Sequence, residues 1–174
     1  PGKYNYATSG VGTVLQLAME LLKERSGIFV THVPYRGGAQ IATDVIGDQV
    51  DLAMLVSTSA IPHVNGKRLK ALGITGSQRL PALAQVPTFN EMPGLKGYDM
   101  VSWTGIFAPA KTPPAVVARL NQELNAVLQE EGVRAKLAEQ GALPGSGTPE
   151  AFGKFVQAEY ARNQKIVQTA NIKE

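Results

Sequence analysis

Apolar positions along the chain switch repeatedly between strand and helix spacing, with short glycine-rich or hydroxyl-rich turns at the switches. Tyr4, Asn5 and Tyr6 alternate into the turn Thr8-Ser9-Gly10-Val11-Gly12. A helix is predicted over residues 13–25, because Val14, Leu15, Ala18, Leu21 and Leu22 share one face while Gln16, Glu20, Lys23 and Glu24 share the other. Thr13 and Gln16 stand at capping-box spacing, and Gly27 supplies the stop. Ile28 to Val33 predicts a strand rich in β-branched residues.

The same succession follows twice more. Pro34 to Gly38 is a turn, Ala39 to Ile46 a short helix capped by Gly47, and Val50 to Val56 an apolar strand. Ser57-Thr58-Ser59 opens a helix through Ile61 and Val64, Asn65-Gly66 turns the chain, and Leu69 to Thr75 predicts another strand. Strands alternating with helices predict an α/β domain with a largely parallel sheet flanked by helices. Between Ser77 and Lys96 the periodicity fails among Pro81, Pro87, Pro93 and Gly94, with at most a helical turn over Thr88 to Met92. Tyr98 to Ala108 is extended. The remainder is mostly helical: Thr112-Pro113-Pro114 reads as an N-cap with proline in the first turn of a helix to about Gln129, a second helix runs from Val133 to Gln140, and Thr148-Pro149-Glu150 opens a last one.

Composition narrows the function. With 174 residues, 44% hydrophobic and 18% charged, the chain buries a sizeable core and is not a disordered segment. The net charge of +3 is spread along the sequence, and a single tryptophan leaves little to interleave with basic residues, which argues against a nucleic-acid surface. The absence of cysteine excludes a disulfide framework, a cysteine nucleophile and a thiolate metal site, and leaves the compartment open. No apolar run approaches the roughly 20 residues of a spanning helix. The opening Pro1-Gly2-Lys3-Tyr4 carries no basic and apolar leader, and a start without methionine is expected of a processed chain or a fragment.

The turn from Thr8 to Thr13 has two readings. One is an ordinary strand-to-helix turn capped by Thr13. The other is an anion site, since backbone N–H groups at a helix start favour negative charge, glycines let a ligand approach, and Thr8, Ser9 and Thr13 add hydroxyls without charge. Nucleotide fingerprints do not fit: a P-loop needs lysine after its second glycine, and the dinucleotide pattern meets Leu15 where a third glycine or alanine belongs. A Ser9, His32 and Asp51 triad can be written down, but no Gly-x-Ser-x-Gly elbow surrounds Ser9. Two histidines, His32 and His63, lack metal-ligand spacing, and His32 reads as a hydrogen-bonded structural residue. Tyr35, Arg36 and Gly37 form a second glycine-rich helix start, with Arg36 either a charge partner for an anion or a solvated side chain. Ser57 opens a third start, and in parallel sheets such turns line one rim. Trp103 either walls a pocket or packs in a core or hinge.

The segments YATSGVGT, VTHVPYRGGAQIATDVIGDQVDLA, KRLKALGITGSQRLPALAQVPTFNEM, SWTGIFAPAKTPPAVVARLN and VRAKLAEQGALPGSGTPEAFGKFVQAE, in this order, resemble the tripartite tricarboxylate transporter receptor family, the TctC or Bug periplasmic solute-binding proteins. The resemblance implies a clamshell of two α/β lobes of the type II periplasmic binding-protein kind. It closes on a small organic acid or acidic amino acid and delivers it to membrane transporter subunits, in the periplasm, without cofactor, metal or catalysis. On that resemblance residues 1–100 are the second lobe, 101–111 a crossing segment, and 112–174 a helical part returning to the other lobe, whose first half is absent. A chain so truncated is expected to pair with another copy. The resemblance assigns the carboxylate to Ser9, Gly10, Val11, Gly12 and Thr13, with Thr8 beside them, and matches Tyr35, Arg36 and Gly37 to the second helix start. Arg36 stands where the family usually has lysine, which keeps the charge and changes the donor geometry. Leu52 to Ser57 replace an acidic or amide pair that usually follows the Val-Asp, which leaves the solute open. The reading from another class is a hydrolase or transferase acting on a small anion with Ser9 and His32.

Overall fold

In the computed structural model, which describes residues 2–173, the chain runs through β1 (Asn5–Thr8), α1 (Val14–Ser26), β2 (Thr31–Pro34), α2 (Gly38–Ile46), β3 (Leu52–Ala53) and α3 (Ser57–Asn65). A loop with two 3-10 turns, Pro81–Leu83 and Phe89–Glu91, leads through extended chain to α4 (Pro114–Gln129), α5 (Glu131–Glu139) and α6 (Pro149–Thr169). Among the described residues the strands form one parallel sheet in the order β2-β1-β3. The expected α/β class with a parallel sheet is therefore present.

Alternation along β1 sorts the core into two layers. Tyr6 turns to the α1 face, where it joins Leu17, Ala18, Leu21, Tyr98, Met100 and Ile166; Ala7 turns to the opposite face and joins Ile41 of α2 and Val50. Helices thus cover both faces, with α6 packed on α1 and α2 packed on α3. The connection from β1 goes to one neighbour through α1, and the connection from β2 passes back over β1 through α2 to reach the other. Adjacent connections that diverge in this way open a crevice at the carboxyl ends of the strands.

Helix positions follow the sequence reading closely, and strand lengths do not. The expected strand Val50 to Val56 shrinks to Leu52–Ala53 because side chains take over the ladder before it. The Asn5 N–H donates to Asp51 Oδ2 at 2.9 Å and the Asp51 N–H donates to Asn5 Oδ1 at 3.0 Å. The expected strand Leu69 to Thr75 is reduced to one bridge, Ile74 to Thr88, whose bonds run from the Ile74 N–H to the Pro87 carbonyl and from the Phe89 N–H to the Ile74 carbonyl. The extended segment from Tyr98 to Ala108 joins no ladder among the described residues. Pro113, not Thr112, is the N-cap of α4, since the Thr112 N–H closes a turn on the Pro109 carbonyl. Thr148 does cap α6, accepting the Ala151 N–H at 3.2 Å.

Two polar features hold the long loop to the core. Tyr98, fully buried, donates its hydroxyl to the Ala18 carbonyl of α1 at 2.6 Å and sets its ring edge-on to Phe89. Thr88 and Glu91 form a capping box around the second 3-10 turn, and the Arg79 guanidinium grips the same carboxylate through Nε at 2.9 Å and Nη2 at 2.5 Å. Arg79 first, and the Thr88 N–H second, push the Glu91 carboxyl down to about 2.

Tyr98→Phe is expected to lower unfolding stability by about 1 kcal/mol in urea titration, the net worth of one hydrogen bond whose acceptor keeps its helical partner. The depressed Glu91 pKa gives a second expectation. Its contribution is complete above the ordinary carboxyl range and disappears as pH falls toward about 2. Urea midpoints measured between pH 5 and pH 2 should fall more steeply for the native chain than for Glu91→Gln, and parallel slopes would contradict this account.

Candidate functional site

Three helix starts meet at the carboxyl edge of the sheet. The Tyr35 N–H donates to the Thr8 carbonyl at 2.8 Å, which joins the turn after β2 to the turn after β1. The Met54 N–H donates to the Ala7 carbonyl at 3.0 Å, which brings the end of β3 to the same edge. A Cβ built on Gly38 would lie 3.1 Å from Ser59 Oγ, so the start of α2 approaches α3 with no room for a larger side chain to spare.

None of these three helices carries a side-chain N-cap. At α1 the expected capping box is absent, and its two residues serve the preceding turn instead. The Thr13 hydroxyl donates back to the Gly10 carbonyl at 2.8 Å, and Gln16 Oε1 accepts the Gly12 N–H at 2.7 Å. The first intrahelical bond is from the Leu17 N–H to the Thr13 carbonyl. The backbone N–H groups of Val14, Leu15 and Gln16 are thus left without intrahelical acceptors, at the positive end of the helix dipole. Gly10 has φ of +137° and Gly12 has φ of +73°, conformations that side-chain-bearing residues rarely adopt, so both glycines are required by the path of this turn.

Each anticipated site residue has a definite place. Ser9, Gly10, Val11, Gly12 and Thr13 form the turn itself, with Val11 and Gly12 exposed at its tip. Thr8 is fully buried and supports the turn from within: its Oγ1 accepts the Gly10 N–H at 3.3 Å, lies 3.1 Å from the Gly10 carbonyl and sits 2.7 Å from His32 Nε2. Tyr35 commits its hydroxyl hydrogen to Asp44 Oδ2 at 2.7 Å, and that bond raises its pKa. Arg36 is exposed beside Gly37, the extended residue that precedes α2.

Ser57 and Trp103 are drawn toward the C-terminal helices. Ser57 Oγ lies within donating distance of the carbonyls of Gln140 and Gly141, at 3.2 and 3.1 Å. Gly141, with φ of +68°, brings the end of α5 so close that a Cβ there would lie 2.7 Å from Ile61 Cδ1 and 2.8 Å from Ser57 Cβ. Trp103 packs edge-on against Phe152 and Phe155 of α6 and donates Nε1–H to Glu159 at 3.3 Å.

His32 and Asp51 of the triad have other partners. His32 bonds Thr8, while the Asp51 carboxylate is held by the Asn5 N–H. The His32 ring stacks on Tyr6 at 4.9 Å, and burial lowers its pKa, with Glu20 opposing and Lys23 reinforcing that shift. Sequence spacing did pair Thr13 with Gln16, but it could not show that Gln16 would reach Gly12, because the choice depends on the backbone path through two glycines.

The family model described as tripartite tricarboxylate transporter family receptor matches residues 1–172. A protein of Pseudomonas sp. strain P51, described as the UPF0065 protein in the tcbD-tcbE intergenic region, is 38% identical over 167 residues, covering 96% of this chain and 50% of the relative. Among solved structures, R. palustris Rpa4515 with adipate is 32% identical with a TM-score of 0.84, over 99% of this chain and 57% of that one. MatC from Rhodopseudomonas palustris with bound malate is 30% identical with a TM-score of 0.77, over 95% and 57%. The chain spans about half the length of most of the curated relatives it matches, and 94% of one, the UPF0065 protein in the clcB-clcD intergenic region of Pseudomonas knackmussii. With the match running from residue 1 through the last helix, the chain belongs to the tripartite tricarboxylate transporter receptor family.

Proposed function

We propose that this chain forms the second lobe of a periplasmic solute receptor, non-enzymatic, which holds a small organic carboxylate and hands it to tripartite-type membrane transporter subunits. The observation that carries the reading is the uncapped start of α1. Thr13 and Gln16 tie up Gly10 and Gly12, and the first-turn amides of the helix remain to be satisfied by something else. A carboxylate supplies acceptors and negative charge together, and hydrogen bonds to a charged group are about twice as strong as neutral ones. Adipate and malate in the two Rhodopseudomonas relatives are solutes of this chemistry.

In this reading Ser9, Gly10, Val11, Gly12 and Thr13 face the solute, Thr8 braces them, and Arg36 supplies positive charge from the neighbouring turn. Gly37 and Ser57 border the same edge. Residues 1–100 make the lobe, 101–111 the crossing segment and 112–174 the part that joins the other lobe. Support for the last assignment comes from α4 and α5, which bury no residue, and from Ile106, Phe107, Val116, Leu120 and Val127, all exposed. Apolar side chains so placed would be covered by a second lobe, and Trp103, in the crossing segment, packs against Phe152 and Phe155 of α6. Closure of the clamshell would then exclude water and strengthen the amide–carboxylate bonds.

Calorimetric titration of the full-length gene product with adipate and malate, each beside its neutral diamide, tests this. Binding of the acids with heat, and none of the diamides, is expected; equal binding of diamide and acid would overturn the carboxylate assignment. Gly12→Ala should cost about 1–2 kcal/mol of stability, because φ of +73° is strained for alanine, and should weaken binding of the acid.

A further inference from the structure

The side chain that holds the β1–α1 turn from behind belongs to β2. Thr8 is the last residue of β1 and has no exposed surface, so its hydroxyl cannot be satisfied by water. It accepts the Gly10 N–H, and its single hydrogen has two acceptors within reach, the Gly10 carbonyl at 3.1 Å and His32 Nε2 at 2.7 Å. The Gly10 carbonyl already accepts from the Thr13 hydroxyl. A neutral His32 can take the Thr8 hydrogen on a bare Nε2, or donate from Nε2–H and turn that hydrogen toward Gly10. Both arrangements keep Thr8 pinned between the strand and the glycine turn.

His32 is itself immobilised. Its ring stacks on Tyr6, whose hydroxyl donates to Glu20 at 2.7 Å, and Lys23 bonds the same carboxylate at 2.8 Å. From β1 it is faced by Tyr6 and Thr8, and from α1 by the charges of Glu20 and Lys23. A continuous chain of contacts therefore runs from the body of α1 through Tyr6, His32 and Thr8 to Gly10. The residue at its end has φ of +137° and no side chain of its own to hold that conformation.

We propose that His32 is a positioning residue for the solute turn: through Nε2 it fixes the Thr8 hydroxyl, and through Thr8 it fixes Gly10 and the amides that follow. The inference rests on the solute reading given above. It adds that the geometry of the anion site is set on the neighbouring strand by a side chain that never touches the solute. It also makes the site sensitive to protons. Burial keeps His32 neutral to lower pH than an ordinary histidine, and the charge it gains on acidification lies behind an anion turn. Acidification should therefore tighten binding of a dianion beyond what the titration of the solute itself accounts for.

The test uses the full-length gene product, with adipate and malate as probes and the melting temperature of every variant measured alongside its Kd. Thr8→Val and His32→Ala are each expected to weaken binding about tenfold, with the double variant little worse than the poorer single one, as for two residues acting through one link. Thr8→Ser, and His32→Gln, whose amide nitrogen reaches the Nε2 position, should recover most of the affinity. As pH falls through and below the ordinary histidine range, the native protein should gain affinity over His32→Gln, both facing the same solute titration. Folded Thr8→Val and His32→Gln proteins with native Kd at every pH, and only a lowered melting temperature, would overturn the inference and leave the solute reading standing. If the native protein binds neither acid, the solute reading falls and takes the inference with it. Should His32→Ala fail to fold, Thr8→Val and His32→Gln decide.

Discussion

A parallel strand cannot be reached from its neighbour by a tight turn, and that constraint organises everything else in this chain. β1 is parallel to both β2 and β3, so each link between strands must carry a helix, and every such helix starts at the same edge. Because β2 and β3 lie on opposite sides of β1, the two crossovers diverge around the end of the central strand. The turn that leaves β1 is therefore the natural floor of a crevice. Its neighbours are delivered by the sheet: the Thr8 carbonyl binds Tyr35, and the Ala7 carbonyl binds Met54.

What fills that crevice is decided by how the helix starts are finished. Away from the carboxyl edge, Thr148 caps the start of α6 and Thr88 with Glu91 caps the second 3-10 turn, while α4 and α5 start without a side-chain cap. At the carboxyl edge the hydroxyl and amide that could cap α1 are turned backward onto Gly10 and Gly12. A side-chain cap would have satisfied one of the first-turn amides at a gain of about 1 kcal/mol. Leaving them open is a local sacrifice of stability, and such sacrifices concentrate at functional sites. Of the carboxylates nearby, Glu20 is paired with Lys23 behind the turn, and Asp44 accepts the Tyr35 hydroxyl hydrogen.

Much of this was readable from the residues. The helices came from apolar spacing and from Gly27, Gly47 and Thr148, signals that act within a few residues of where they stand. The parallel order followed from strands alternating with helices, and the turn ahead of α1 from Gly10 and Gly12. The strands were overestimated because a strand ends where its partner ends. Val50 is as β-prone as Leu52, yet the side chains of Asn5 and Asp51 replace the ladder beside it. The apolar run to Thr75 finds one bridge partner in the loop at Thr88. Within the site, spacing marked Thr13 and Gln16 as a pair without revealing which amide each would meet. The link from His32 to Thr8 joins residues 24 apart, and only the strand register brings them to 2.7 Å.

The proposed clasp is made chiefly by the uncapped amides at the start of α1, with Arg36 adding charge from beside them. Backbone amide chemical shifts followed by NMR as malate is added to the full-length gene product address it most directly. The largest changes are expected on Gly10 to Gln16, with smaller ones on Arg36 to Gly38. Changes concentrated elsewhere, for instance along the basic groove of Lys67, Arg68 and Lys70, with Gly10 to Gln16 unmoved, would contradict it.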